Sequence, residues 1–573
     1  MRRAKELQEA EGRLCSQVDG EALLSLTREI AREVRLSGSL EEERTFRELA
    51  SRLSAMGLAV RLSHHPGFVS WPGPATLHVE GLGDLACITH AMARPTEGLA
   101  GPIRDLGPMA PAEIRRQDLT GHIAVIDGVA NPARVQAAEA AGAVAEIFVS
   151  GEMRHEMIVS PVWGSPGLDD LGRLPKTPSV SIDRAAGLSL RRRLAEGPAE
   201  ARITADVDTR WRELPLLEAD LPGPEGEDAF VLLSGHVDSW HLGAMDNGSA
   251  NALMLEMARL LAPERASLRR GLRLCFWSGH SHGRYAGSAH YADHHFTELR
   301  QRCVCHVNVD SPGGQGATDL AHAIASAELR ALAAEAVRGE TDVPYQGSPP
   351  LRAGDESFLG MGVPALFMEV SEQPMGSEGS SGVSAGGGLG WWWHTTEDTP
   401  DKLDPEFLAR DARIYLRALW RLVTDPVLPM WAGAAAREVL EVLLERSEAA
   451  RGRLDFSAPI RLAERLLGRA DALDALAERL RAQGAAAATA PVRRVNRRLM
   501  ALGRALGSVR YARQGPSGQD AALAQPLLPG LERAGDLGAL REDDPAIGHL
   551  RVDLVRERNR IVLALQEAID ALG

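Results

Sequence analysis

Cysteine is scarce in this chain. Its 573 residues include five cysteines, Cys15, Cys87, Cys275, Cys303 and Cys305, and no two are spaced as CxxC. That excludes a disulfide framework or a cysteine zinc knot and makes a reducing cytoplasm the expected compartment. Long apolar runs are missing too, since no uninterrupted stretch approaches the ~20 residues that a membrane span needs. The first residues, Met-Arg-Arg-Ala-Lys-Glu-Leu-Gln, lack the apolar centre of a secretory signal. Basic excess is also absent: 64 Lys and Arg face 78 Asp and Glu, a net charge of −14, with no arginine-rich tail or aromatic-basic stripe. Neither nucleic acid nor an anionic membrane is therefore expected as a partner. No repeat of ~20–50 residues marks a solenoid. What the chain does have is 44% hydrophobic and 25% charged residues, enough to build large cores. At ~100–200 residues per domain, its length favours three or four domains.

Helical spacing marks the beginning. Leu23, Leu26, Ile30 and Val34 share one face, and Phe46, Leu49, Leu53 and Met56 form a second stripe before Gly57; Leu58–Leu62 then reads as a strand. From about Val69 to Trp211 the texture turns to glycine and proline. Short strands at His122–Ile126 and Ala145–Val149 flank a helix from Pro132 to Ala141, a βαβ-like unit. Pro215–Glu227 reads as an acidic, proline-rich linker. Strands and helices then alternate through Phe230–Leu233, Ser249–Leu261, Leu272–Trp277, Val304–Val309, Ala325–Arg338 and Pro364–Val370. Such alternation predicts an α/β sheet with helices on both faces. Met375–Gly390 is a Gly/Ser-rich loop that cannot pack a core. After Leu422 the strands stop. Leu462, Leu466, Leu473, Leu476 and Leu480 make one helical stripe, and Leu554, Ile561, Leu565 and Leu572 another, so the last part is all-helical.

The densest chemical signal is Ser234-Gly-His-Val-Asp-Ser-Trp-His-Leu-Gly-Ala-Met-Asp-Asn-Gly-Ser249. It follows a strand and leads into a helix, which places it at the carboxyl edge of a sheet, where open α/β folds carry their sites. Imidazole and carboxylate suit a divalent metal. His236 and Asp246 can both reach one ion, and Asp238 is placed to accept a hydrogen bond from the second imidazole nitrogen of His236, fixing its tautomer. Asp310 closes His306-Val-Asn-Val-Asp310, and His394 opens His394-Thr-Thr-Glu-Asp-Thr399. Any one of these alone reads as a cap or a solvated loop residue; four of them at strand ends and loop starts read as a metal site.

These motifs resemble the co-catalytic zinc exopeptidases, the family that includes bacterial leucyl-type aminopeptidases, glutamate carboxypeptidase II and the transferrin receptor. Gly235-His-Val-Asp238 resembles the family's first metal motif, Asp246-Asn-Gly-Ser-Ala250 its helix start, Asn308-Val-Asp310 its later strand end and His394-Thr-Thr-Glu-Asp-Thr399 its last motif. The resemblance implies two zinc ions, with His236 and Asp310 on one, His394 on the other and Asp246 between them. Residues 69–212, around Asp118–Ile126 and Ala137–Val144, resemble an inserted protease-associated domain. Residues 426–573 resemble the family's dimerisation domain, which implies a homodimer. Residues 1–68 and 213–425 would form the mixed-sheet peptidase-like domain.

One motif departs from the family. A Glu-Glu pair, general base and zinc ligand, is expected after the Trp-bearing strand; this chain has Trp277-Ser-Gly-His-Ser-His-Gly283 instead. Histidine is a good zinc ligand and serine a poor one, so His282 is expected on the metal and His280 as the base, work for which imidazole is suited near neutral pH. The same residues, Gly279-His-Ser-His-Gly283, also spell a G-x-S-x-G nucleophile elbow. On that alternative Ser281 attacks, with Asp310 or Asp355 and His394 as its partners. A third reading is an inactive receptor-like or scaffold protein. The favoured expectation is metal-dependent cleavage of a peptide or small amide. Trp391-Trp-Trp393 precedes His394 and offers an aromatic wall, while Gly515–Ala524 lacks the lysine and tyrosine with which glutamate carboxypeptidase II holds a C-terminal glutamate.

Overall fold

A computed structural model describes residues 5–376, 388–484 and 489–573. Within the Gly/Ser-rich stretch read as a loop from Met375 to Gly390, residues 377–387 lie outside the described residues. Two long strands, Ala59–Val79 and Glu200–Leu221, run antiparallel, from Ala59 opposite Asp220 to Val79 opposite Ala201. At ~3.4 Å per residue the ribbon is ~70 Å long, and it serves two regions. At one end Glu200–Leu221 pairs antiparallel with Gly271–Trp277, beyond which Phe230–His236, Cys303–Asn308 and Ala365–Leu366 follow in parallel. At the other it pairs antiparallel with Thr96–Gly107, and Ile123–Asp127, Ala145–Val149 and Ser179–Ile182 follow in parallel. The fold is the expected α/β arrangement around a mixed sheet.

The ribbon corrects one expectation. Residues Pro215–Leu221 are not linker; they are the last third of a strand and are mostly buried. Their acidity misled because its partners lie elsewhere in sequence. Glu218 accepts from Arg61 and from the Tyr291 hydroxyl, and Asp220 from Arg273. Pro215 sits opposite His64, beyond the last pairing with Gly271–Trp277, where the strand has one neighbour and a missing N–H costs nothing. Two further elements differ in extent. The helix expected from Ala325 begins as a 3₁₀ turn at Ala327–Leu329 and is α-helical over Arg330–Arg338. The strand expected over Pro364–Val370 is confined to Ala365–Leu366, ending where Phe367 takes a positive φ of 61°.

Strand Phe230–His236 is buried throughout, as a central parallel strand should be. Val231 and Leu233 face the core shared with helices Ala250–Leu261 and Pro405–Thr424; Phe230 and Leu232 face Trp277 and Phe358 on the other side. The C-terminal part is helical as expected, through Ala432–Ala449, Ser457–Ala482, Ala490–Arg510 and Ala546–Leu572. Arg510 ties it to the sheet region, bonding Glu328 at 3.0 Å and Glu438 at 2.6 Å. The stripe Leu554, Ile561, Leu565 and Leu572 is buried within this one chain, as are Leu466, Leu473 and Leu480. Leu462 and Leu476 of the first stripe are partly buried against the same core.

Candidate metal centre

The sheet gathers the predicted residues along one edge. His236 ends strand Phe230–His236, Asp310 lies just past Cys303–Asn308, and His280 and His282 follow Gly271–Trp277. Asp246 lies ahead of helix Ala250–Leu261, after a turn in which Gly243 has φ +53°. A Cβ on Gly243 would stand 2.3 Å from the Asp246 carbonyl oxygen, so only glycine fits there.

Asp246 lies between the two outer imidazoles. Its Oδ1 is 3.0 Å from His236 Nε2 and its Oδ2 is 2.9 Å from His394 Nε2. Asp310 Oδ2 is 3.6 Å from His236 Nε2. The opposite ring nitrogens are already engaged. His236 Nδ1 donates to the Asp238 carbonyl at 2.9 Å, and His394 Nδ1 to the Glu156 carbonyl at 2.7 Å. With Nδ1 protonated, a neutral imidazole turns a lone pair at Nε2 toward a carboxylate oxygen, two acceptors about 3 Å apart. Either a second proton or a cation must lie between them. His236 Nε2 and Asp246 Oδ1 are indeed buried and without a hydrogen-bond partner. Two imidazoles and two carboxylates so disposed fit a borderline divalent ion such as zinc.

The electrostatics agree. Burial alone would suppress the His236 imidazolium, but Asp310, Asp238 and Asp246 outweigh it and raise its pKa well above the ordinary value. Burial likewise opposes ionisation of Asp246, yet His236 and His394 hold its pKa down.

The bond expected from His236 to the Asp238 carboxylate is made to the Asp238 backbone carbonyl instead. The carboxylate, 3.7 Å from Nδ1, accepts from His280 N at 3.2 Å, Ser281 N at 2.8 Å and Ser37 Oγ at 2.7 Å. Asp238 thus shapes the histidine loop. Within that loop His280 comes close to two of the predicted residues: ligand atoms of His236, His280 and Asp310 lie within 4.8 Å of one another. His280 Nδ1 donates to Asp355 Oδ2 at 3.0 Å, and its ring stacks on His236 at 3.7 Å and 11°. His282 is fully buried, with Nδ1 3.0 Å from Ser37 Oγ, its ring 4.3 Å from Trp240 and Nε2 unpartnered. Ser281 Oγ is buried and bonds no imidazole. The nitrogens of His394 are turned to Glu156 and Asp246, so a serine triad is not assembled.

Several residues of the centre escaped sequence reasoning. Asp398 accepts Met245 N at 2.8 Å and Asp246 N at 3.0 Å, and burial raises its pKa to about 7. It lies inside the His394–Thr399 motif, which was a usable signal. Asp355, named only as a possible partner of Ser281, orients His280 instead. Ser37 and Glu156 come from segments with no motif. The same holds for Glu369, whose pKa burial and the nearby Asp310, Glu372 and Asp246 raise well above the usual carboxylate range. Of the three tryptophans before His394, Trp393 stacks on it at 3.5 Å, Trp392 is buried and Trp391 is exposed.

A mixed sheet that collects imidazoles and carboxylates around one central aspartate at the ends of its parallel strands has donors suited to a divalent metal. Comparison with known proteins places it more narrowly: residues 217–419 match Peptidase family M28, and the zinc exopeptidase resemblance holds across that region. Among curated proteins, the probable glutamate carboxypeptidase VP8 of Zea mays is 31% identical over 120 residues, 20% of this chain and 17% of that protein. The match thus spans about a sixth of that relative's length. Among solved structures, the fold is similar to a peptidase M28 precursor from Shewanella amazonensis SB2B, with TM-score 0.57, 19% identity, and 74% of this chain and 97% of that one covered. It is also similar to a zinc aminopeptidase from Bacillus subtilis, with TM-score 0.53, 21% identity, and 71% and 96% covered.

Proposed function

We propose that this protein is a zinc-dependent hydrolase of peptide or small amide bonds. The reading rests chiefly on Asp246, whose two carboxylate oxygens stand 3.0 and 2.9 Å from the Nε2 atoms of His236 and His394. His236 and Asp310 would hold one ion, His394 a second, and Asp246 both. Bound there, the ions would supply positive charge that polarises a scissile carbonyl and makes water more acidic.

His280 is the proton carrier on this reading. An imidazole's lone pair lies in its ring plane, and ligands ~2.0–2.1 Å from one zinc must converge on it. The parallel, stacked rings of His236 and His280 do not converge. His280 therefore serves beside the metal. Asp355 fixes Nδ1–H and leaves Nε2 to take a proton from attacking water and return one to the leaving amine. His282, whose buried Nε2 has no hydrogen-bond partner, is the loop's candidate ligand. Trp393, stacked on His394, offers an aromatic wall for a peptide or small amide, and nothing in Gly515–Ala524 favours a C-terminal glutamate. The five free cysteines suit a reducing cytoplasm, and a homodimer rests on the family resemblance alone.

The test is metal analysis of the wild-type protein and Asp246→Ala, joined to a screen of amide substrates. The wild type should carry zinc and hydrolyse at least one amide, and the variant should lose its metal and its turnover together. Full zinc occupancy in Asp246→Ala would refute the assignment. Labelling of Ser281 by a serine-directed phosphonate would transfer the chemistry to the serine, and zinc binding without hydrolysis would favour a scaffold.

A further inference from the structure

The loop that joins His236 to Asp246 is held from two sides by groups of opposite charge. Asp398 takes its amides, at Met245 and Asp246. Its carbonyls are taken by Arg35, a residue from the N-terminal segment and more than 200 positions away in sequence. Arg35 Nε donates to Val237 O at 2.9 Å, Nη1 to Leu242 O at 2.8 Å and Nη2 to Gly243 O at 3.1 Å. Nη1 also reaches Ile30 O at 3.2 Å and Glu33 O at 3.1 Å. The Arg35 backbone joins in: Ser239 N donates to Arg35 O at 2.8 Å, and Arg35 N donates to Ser239 Oγ at 3.2 Å.

Two features set this arginine apart from a packing residue. It is fully buried, yet among the described residues no carboxylate lies within ion-pair distance; every guanidinium donor named above ends on a backbone carbonyl. A buried cation without a paired anion is costly unless its hydrogen bonds are complete. Its planar fork also reaches both ends of one loop at once, Val237 beside the first metal residue and Gly243 three positions before the second. An ammonium group is a point donor and cannot span that distance.

We propose that Arg35 is a positioning residue of the metal centre, presetting the Val237–Asp246 loop so that His236 and Asp246 face each other before any ion arrives. The inference rests on the metal reading above and adds a residue to it. Presetting lowers the reorganisation needed on binding, so its loss appears as weaker metal affinity.

The experiment measures the zinc dissociation constant of the full-length protein by chelator competition, with the melting temperature of the metal-free protein in parallel. Arg35→Lys should weaken zinc about 10–100-fold, the range seen when partners of metal ligands are removed, and excess zinc should restore turnover. Arg504→Lys is the control. Arg504 is a half-buried arginine that also donates to backbone carbonyls, those of Arg300, Leu299, Gly362 and Cys303, but away from the metal residues. It should lower the melting temperature and leave zinc affinity within twofold of wild type. Ser239→Ala keeps the test open if Arg35→Lys does not fold, and should weaken zinc about threefold. Unchanged affinity in the folded Arg35→Lys, unchanged affinity in Ser239→Ala, or an equal loss in Arg504→Lys would each overturn the proposal. If the wild type itself binds no zinc, it is the functional reading that has failed.

Discussion

Two sets of parallel strands share one ribbon in this molecule, and both present acids at their carboxyl edges. In the inserted region Asp105, Asp127 and Asp183 occupy that edge, and each has a cation. Arg191 pairs with Asp105 at 2.9 Å and also with Asp127, and Arg154 pairs with Asp183 at 2.9 Å. In the peptidase region Asp238, Asp246, Asp310 and Asp355 occupy it, and among the described residues none is paired with lysine or arginine. Their partners are imidazoles, hydroxyls and backbone amides. The same topology thus makes a closed edge in one place and a metal-ready edge in the other. What separates them is whether the chain has already supplied the countercharge.

The first way to sharpen this contrast is at His280. His280→Ala should keep its metal and lose about 10²–10⁴ in kcat, read by steady-state kinetics beside zinc analysis; loss of metal would make His280 a ligand instead. Asp355→Asn leaves the ring in place but weakens its orientation, and a fall of about 10–100-fold in kcat is expected. Unchanged turnover in Asp355→Asn would show that the Asp355 bond to His280 does not matter.

Glu146 is the inserted region's own uncompensated acid, satisfied by the hydroxyls of Thr177 and Ser179 and pushed by burial to about 8 from 4.5. Between those two values the folded state binds more protons at this residue than the unfolded state. Its contribution to stability is therefore full below about pH 4.5 and lost as pH rises through about 8. Glu146→Gln should remove that decline, giving a variant that melts several degrees above wild type at pH 8 and matches it near pH 5. A parallel decline in both proteins would place the effect elsewhere. The smallest effect is expected where the edge is already closed. Arg191→Met should cost about 0.2–1 kcal/mol, seen in urea unfolding, and leave zinc stoichiometry unaltered; a new bound ion there would mean that freed carboxylates alone suffice.

The sequence placed these candidate residues together because His236, Asp246 and Asp310 sit at a strand's end or ahead of a helix and His394 opens a short motif, so a local pattern marks each. His236, Asp246, Asp310 and His394 needed no knowledge of what lay around them. Asp355 and Arg35 did. One orients a histidine 75 positions away and the other grips carbonyls more than 200 positions away, and such bonds leave no local periodicity. The ribbon was hidden for a related reason: Glu218 and Asp220 look like solvated linker until Arg61, Tyr291 and Arg273 arrive from other strands. The leucine stripes were legible as helices, but whether their cover came from the same chain was not, because amphipathicity reports a buried face and not its partner.

The ribbon also gives the chain a natural place for surgery. Pro72 and Val207 face each other across it, with the whole inserted region strung between them. A tight turn joining those two positions would convert the crossing into an ordinary hairpin and leave the edge of the peptidase sheet paired. What would leave with the excised piece is the Glu156 carbonyl, the group that fixes the tautomer of His394. The segment also holds the backbone around His394, where Glu156 N donates to His394 O and His155 to Trp393 O, so a chain shortened there should keep the paired sheet and lose the setting of His394.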